Sequence, residues 1–413
     1  MKTEEVDVLV IGAGPSGCVS SAYVNKQGIK VKVVERSKFP RLVIGESLIP
    51  KVMDNLDEVG FLPAIEAAGF QEKHSSRFLR NGVNSTFYFN DKFGEGWDWT
   101  WQVPRADFDQ VIANEAQKQG VEIEFEAEVT AIEFDHYGNS LTTIKDKDGN
   151  EKQIRAKFVI DSSGYGRVLP RLLNLDAPSN LTGNSSIFTH TVDVNRPDGI
   201  EGTQITFEVI EQEVWFWVIP FSNGVTSIGV VGRTELIDAL SPTGDAEESL
   251  RNIIKRTDHF RDRFINNDFI YNPFIKKNYA CTVSEQFGKG FVLTGNSSGF
   301  LDPVFSSGVA LATTSGLLAA KLVTRELKDG EKVDWQKEYA DYMNRGYEVF
   351  STYVKEWYNG NLQELFFHRP ENKEVKRKIC AVLAGYVWNE ENPFVKKHYR
   401  AVSSLAYSLK NNL

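Results

Sequence analysis

Val6-Asp-Val-Leu-Val-Ile11 runs straight into Gly12-Ala-Gly-Pro-Ser-Gly17, and Val31-Lys-Val-Val-Glu35 follows; together these stretches decide the fold. An apolar strand, a glycine-rich turn, a small-residue helix start and a second apolar strand ending in an acid form a dinucleotide-binding βαβ unit. Gly12 makes the tight turn, and Gly14 lets the backbone approach a pyrophosphate. Gly17 lets helix and strand pack closely, with Pro15 and Ser16 opening a helix whose N-terminus faces the phosphates. Glu35 lies about 20 residues past the glycines, the spacing at which an acid takes ribose hydroxyls. Arg36 stands beside it as a further cofactor candidate. The competing reading is a glycine turn that binds nothing, and the joint register of strand, glycines, helix start and acid weighs against it.

Length and charge bound the rest. At 413 residues the chain exceeds one ordinary core and calls for two or three domains. A net charge of -9 argues against a nucleic-acid partner, which requires clustered Lys and Arg. Cys18, Cys281 and Cys380 are scattered without disulfide or metal spacing, as reduced thiols of a cytoplasmic protein would be. The six histidines form no pair at ligand spacing, so no metal site is expected. The chain reaches its first strand directly after MKTEE, which leaves no room for a signal peptide, and no apolar run approaches a transmembrane span.

The expected fold is α/β, and α+β overall: a Rossmann-type nucleotide-binding domain interrupted by an antiparallel-sheet substrate domain, with a helical C-terminal region. The nucleotide-binding domain is assigned to residues 1–80, 100–180 and 285–325. The substrate domain takes 81–99 and 181–284, and the helical region takes 326–413. A helix is expected from Phe108 to about Gly120, then a strand at Val121–Phe125, then hairpins turning at DHYGN and DKDGN. Residues 184–232 alternate apolar and polar, as antiparallel strands do. The chain returns to the first domain at Gly290-Phe-Val-Leu-Thr-Gly-Asn296.

Three distant pieces belong together chemically. Asp161-Ser-Ser-Gly164 ends a buried strand in a turn small enough to pass a flat cofactor. Thr294 to Gly308 offers small residues and then a helix start with free amides. With GAGPSG and Glu35, these resemble the group-A flavin monooxygenase superfamily, over most of residues 5–325, and the resemblance implies FAD as the resident nucleotide. Within it the chain is most similar to flavin-dependent halogenases of the phenol and pyrrole type, with geranylgeranyl reductases as near relatives. FPRLVIGESLIP, Lys73 in GFQEKHSSRF, Trp215-Phe-Trp-Val-Ile-Pro220 and DPVFSSG carry the likeness. Isoprenoid reductases have a comparable aromatic strand followed by spaced glycines, like Gly229 and Gly232 here.

The resemblance implies roles residue by residue. Reduced FAD and dioxygen oxidise a bound halide, and the hypohalous acid travels to the substrate. Lys73 matches the lysine that receives it, as a haloamine or through a hydrogen bond; otherwise it is a solvated lysine beside Glu72 and Arg77. Ser307 and Gly308 match the amides that hold halide. Trp215 and Trp217 wall the substrate from the flavin, or simply fill a core. Gln102 and Arg105 match positions touching FAD, with an ion pair from Arg105 to Asp107 or Asp109 as the alternative. Asp161 and Asp302 fall in the cofactor region, and Arg41 and Ser47 lie in the loop covering the isoalloxazine.

Two departures matter. Asn296 stands where the family has an aspartate, and Phe305 stands where tryptophan halogenases carry a glutamate, which argues against that subclass. The substrate is a small or carrier-tethered phenol or pyrrole, or a lipid-like polyene. Without a second nucleotide motif, a separate flavin reductase is expected to supply electrons. Reduction of isoprenoid double bonds, and flavin binding without chemistry, are the alternative functions.

Overall fold

The computed structural model describes residues 3–179, 183–240, 244–368 and 371–411. β1 (Thr3–Ile11) ends at Gly12, whose φ of +99° belongs to the left-handed region that suits glycine. α1 (Pro15–Lys26) starts with a proline in its first turn, where no amide partner is lost. β2 (Val31–Glu35) returns parallel to β1, with Val8 beside Val31. Next come β3 (Gln71–Lys73), β4 (Ser75–Arg80), β5 (Val83–Tyr88) and β6 (Thr100–Gln102). α2 (Arg105–Lys118) begins three residues before the expected Phe108, because Pro104 sets its entry and Asp107 lies in its first turn. β7 (Glu122–Phe125), β8 (Ala127–Phe134), β9 (Ser140–Asp146) and β10 (Glu151–Asp161) complete the first half.

Both expected hairpin turns form by one device. The carboxylate of Asp135 accepts the amides of Tyr137 and Asn139, and Asp146 does the same for Asp148 and Asn150.

The second half supplies β11 (Asn184–Val192), β12 (Thr206–Glu211), β13 (Val214–Pro220), β14 (Val225–Arg233), β15 (Phe274–Lys277) and β16 (Phe291–Leu293). β16 pairs in parallel with β10, so the parallel part of the first sheet runs β16-β10-β1-β2-β7, with Phe287–Gly288 as an antiparallel edge on β16 and the β8-β9 hairpin attached to β10. The second sheet runs β15-β11-β14-β13-β12-β4-β5. It is antiparallel except at one joint, where β12 lies parallel to β4 with Thr206 beside Arg77. The expected boundary at residue 81 therefore falls inside the β4-β5 hairpin, both strands of which lie in this sheet. α3 (Gly308–Lys328) packs along α1, and α4 (Asp341–Tyr358) opens the helical C-terminal region. This is the expected α/β arrangement.

Every residue of β13 is buried, which explains a strand with so little alternation. Trp215, Trp217 and Ile219 point to one core, while Phe216 and Val218 point to another closed by Phe260 and Phe264. Opposite Trp217 sits Gly229, and a Cβ there would come within 2.4 Å of the indole. The indole occupies the space a side chain would need. No helix among the described residues is long and apolar enough to cross a membrane.

Candidate functional site

A cavity of about 390 Å³ opens where the carboxyl ends of the parallel strands meet the second sheet, the position at which α/β sheets take ligands. Gly14, Pro15, Ser16, Glu35, Arg36 and Arg41 line one end. A Cβ on Gly14 would meet only the Arg41 guanidinium, at 3.6 Å, so the space beyond this glycine belongs to the cavity. Gly12 and Gly17 lie beneath the wall instead: a Cβ on Gly17 would sit 1.9 Å from the Gly12 carbonyl oxygen. No side chain caps α1, so its first amides face the cavity. Glu35 accepts the amides of Ala13 and Ser37, one on each oxygen, and each oxygen keeps a lone pair for a hydroxyl.

Next to this end, three hydroxyls from three segments converge. Ser16 donates to Thr294 Oγ1 at 2.8 Å, and Ser162 lies 2.7 Å from the same atom; all three residues line the cavity. Asp161 is wholly buried and does not reach the wall. Its oxygens accept the amides of Ser163 and Leu169, fixing the turn that does, and burial raises its pKa.

Arg105 lines the cavity and pairs with Asp109: Nε to Oδ1 at 2.8 Å and Nη2 to Oδ2 at 3.0 Å. Its Nη1 donates to the Ile44 carbonyl at 3.0 Å. Arg41 reaches Asp109 Oδ2 at 3.2 Å, so one fully buried carboxylate aligns both cations. Gln102 stands apart from the cavity. Its amide donates to the Thr203 and Pro220 carbonyls and accepts from the Ile205 amide, tying the short β3-β6 pair to the second sheet.

On the opposite wall, Asn296, Ser306 and Gly308 line the cavity, and Ser307 is buried beside them. Ser306 is left-handed (φ 56°) and Ser307 right-handed (φ -75°), a succession that turns consecutive amides toward one point. Asp302 caps the turn leading there, accepting the Val304 amide on Oδ1 at 3.1 Å. Its Oδ2 accepts Asn184 Nδ2, Tyr279 and Tyr358, each at 3.0 Å, so Asp302 faces the protein rather than the cavity.

Trp215 and Trp217 line the far end with ring centroids 5.9 Å apart. Lys73 sits behind the wall, 2% exposed, although Glu72 and His74 on either side are exposed and bonded to each other. Strand alternation on β3 turns the lysine inward. Its Nζ donates to Ser47 Oγ at 2.7 Å and to the Leu48 carbonyl at 2.6 Å, and Ser47 lines the cavity. Burial lowers its pKa to about 7. Two acceptors match the two hydrogens of a neutral amine and leave its lone pair unused.

The sequence reading did not single out Glu46 and His190. Glu46 lines the cavity and shares a 2.5 Å hydrogen bond with His190 Nε2 through Oε1. Its buried Oε2 has no partner among the described residues. The GES motif was the available signal, but its partner lies 144 residues away. No group of three or more metal-ligating side chains is found among the described residues. Open glycine backbone, uncapped helix amides, the Glu35 acceptors and the orphaned Glu46 oxygen fit a dinucleotide that carries a flat ring.

Residues 5–262 match the family model described as FAD binding domain. A brominase of 1H-pyrrole-2-carbonyl peptidyl-carrier protein from Pseudoalteromonas luteoviolacea is 28% identical over 92% of this chain and 91% of its own. The corresponding chlorinase from Pseudomonas fluorescens is 27% identical over 94% and 91%. A crystal structure described as a flavoprotein/dehydrogenase from Cytophaga hutchinsonii is 48% identical, covers 99% of this chain and 100% of its own, and superposes with a TM-score of 0.96.

Proposed function

We propose that this chain, which belongs to the FAD binding domain family, halogenates an electron-rich aromatic substrate using reduced FAD, dioxygen and halide. FAD is its cofactor and it is an FAD-dependent oxidoreductase; the halogenating step and the residue roles are the proposal. Bound reduced flavin supplies the two-electron activation of dioxygen that raises halide to an electrophile.

The chain's own residues supply the rest. The α1 amides and Gly14 hold the pyrophosphate, Glu35 takes the ribose, and the Asp109-aligned Arg41 and Arg105 bear on the cofactor from one side. The amides of Ser307 and Gly308 are offered to a halide with no fixed cation, while the Ser306 amide is held by the Pro303 carbonyl. Trp215 and Trp217 separate flavin from substrate. Lys73 as a neutral amine then captures the electrophile, exchanging one N–H hydrogen for the halogen of the hypohalous acid with release of water, or orients that acid by donating a hydrogen bond. Its burial and its contact with Ser47 carry this reading: a lysine kept near neutrality behind a cavity-lining hydroxyl is costly to maintain for packing alone.

Pyrrole or phenol groups tethered to a carrier protein are the substrates we assign, since the brominase and chlorinase relatives act on such a pyrrole. A separate flavin reductase supplies electrons, and the three free cysteines suit a cytoplasmic setting. The test is incubation with reduced FAD, oxygen and bromide against free and carrier-tethered phenols and pyrroles. Mass spectra with the bromine isotope pattern support the reading. The name of the 48% identical relative favours a second reading, hydrogen transfer. Oxygen-independent saturation of a polyene, without halogenated product, would establish that reading instead.

A further inference from the structure

The C-terminal region gave no chemical signal in the sequence, yet its helix α4 ends directly behind the wall of the site. Tyr358, the last residue of α4, accepts the indole N–H of Trp215 at 3.1 Å and donates its own hydroxyl to Asp302 Oδ2 at 3.0 Å. Trp215 is a cavity wall residue, and Asp302 caps the turn that sets Ser306 in its left-handed conformation. One hydroxyl thus joins the aromatic wall to the anion-holding turn. Its place is fixed from outside: Gln212, in the hairpin between β12 and β13, donates to the Tyr358 carbonyl at 2.9 Å, and Trp357 packs edge-on against Phe305. Burial raises the pKa of Tyr358 well above the ordinary phenol value, so it stays a donor toward the carboxylate.

We propose that Tyr358 is a positioning residue that couples Trp215 to the Asp302-capped turn, so that the halide site and the substrate wall hold one relative geometry. This rests on the halogenase reading, because it gives the Ser307 and Gly308 amides a halide. Without the hydroxyl, the indole N–H and one acceptor site of Asp302 lose their shared partner, and each half of the wall relaxes separately.

The test is a double-mutant cycle on the FAD-loaded full chain, with iodide affinity read from the flavin absorption spectrum. Tyr358→Phe and Trp215→Phe should each weaken iodide binding roughly three- to tenfold, Tyr358→Phe with FAD affinity unchanged. The double variant should be no weaker than the worse single one, because both changes break the same link. Tyr353→Phe is the control on the same helix, since that buried hydroxyl has no partner among the described residues; it should leave iodide binding as in wild type. If wild type responds to iodide but Tyr358→Phe changes only thermal stability, or the two effects add, the coupling is refuted and Tyr358 merely anchors α4. If wild type shows no iodide response at all, the halogenase reading fails and the coupling falls with it.

Discussion

Lys73 Nζ lies 2.7 Å from Ser47 Oγ, so a buried amine reaches the cofactor cavity through a single hydroxyl. Because the flavin site and the amine are separate, they can be disabled separately. Lys73→Met should leave FAD binding and oxygen consumption intact and lower halogenated product by about 100-fold or more, the usual scale for a lost acid–base or nucleophilic group. Lys73→Arg should fail as well, since a guanidinium stays protonated. Product analysis by mass spectrometry checks both variants, and product at the wild-type rate would remove Lys73 from the mechanism.

The same amine ties stability to pH. Its folded pKa of about 7 lies below the ordinary 10.5, so between those values the unfolded chain binds the extra proton and stability rises with pH. Below pH 7 the full cost of burying the lysine is present, on the order of 5 kcal/mol as a ceiling. Lys73→Met has no such cost. Urea denaturation should show the advantage of the variant over wild type largest at pH 6 and shrinking steadily toward pH 10; a difference independent of pH would mean that the lysine stays charged.

Two glycines of one turn should fail in different ways. Gly14→Val places its side chain in open cavity space, so the protein should fold while FAD affinity drops at least 100-fold. Gly17→Ala drives a methyl into the Gly12 carbonyl and should destabilise the apoprotein itself. Fluorescence titration with FAD and thermal melts of the apo forms separate the two effects.

Asp109→Ala should take the shared carboxylate from two cations at once, leaving Arg41 only its 3.9 Å pair with Glu35. Arg105 is buried and Arg41 mostly so, and removing their common carboxylate should cost about 3–5 kcal/mol, as broken buried pairs do. Equilibrium denaturation measures this, and a loss below 1 kcal/mol would show that water or cofactor replaces the carboxylate.

What could be read from the chain was local. The Gly12–Gly17 turn and the Asp135 and Asp146 hairpins are specified by neighbours along a strand or turn, and each leaves a sequence mark. Lys73 was marked only by its motif, because Glu72 and His74 make its surroundings look solvated; strand alternation buries it. Gln102 matched a cofactor position, yet its amide is spent on Thr203 and Pro220, acceptors about a hundred residues away. Asp302 likewise spends Oδ2 on three donors from β11, the segment before β16, and α4. Such partnerships carry no spacing to read, and Glu46 with His190 is a further case.

Ser16 and Thr294 touch across 278 residues of chain, with Ser162 completing the trio. During synthesis the glycine turn emerges early and Ser162 follows, but its Thr294 partner is made only 278 residues after Ser16. The nascent βαβ unit must wait with part of its wall missing, because contacts so distant in sequence close slowly and late. Cofactor loading therefore waits for β16 and the turn that follows it.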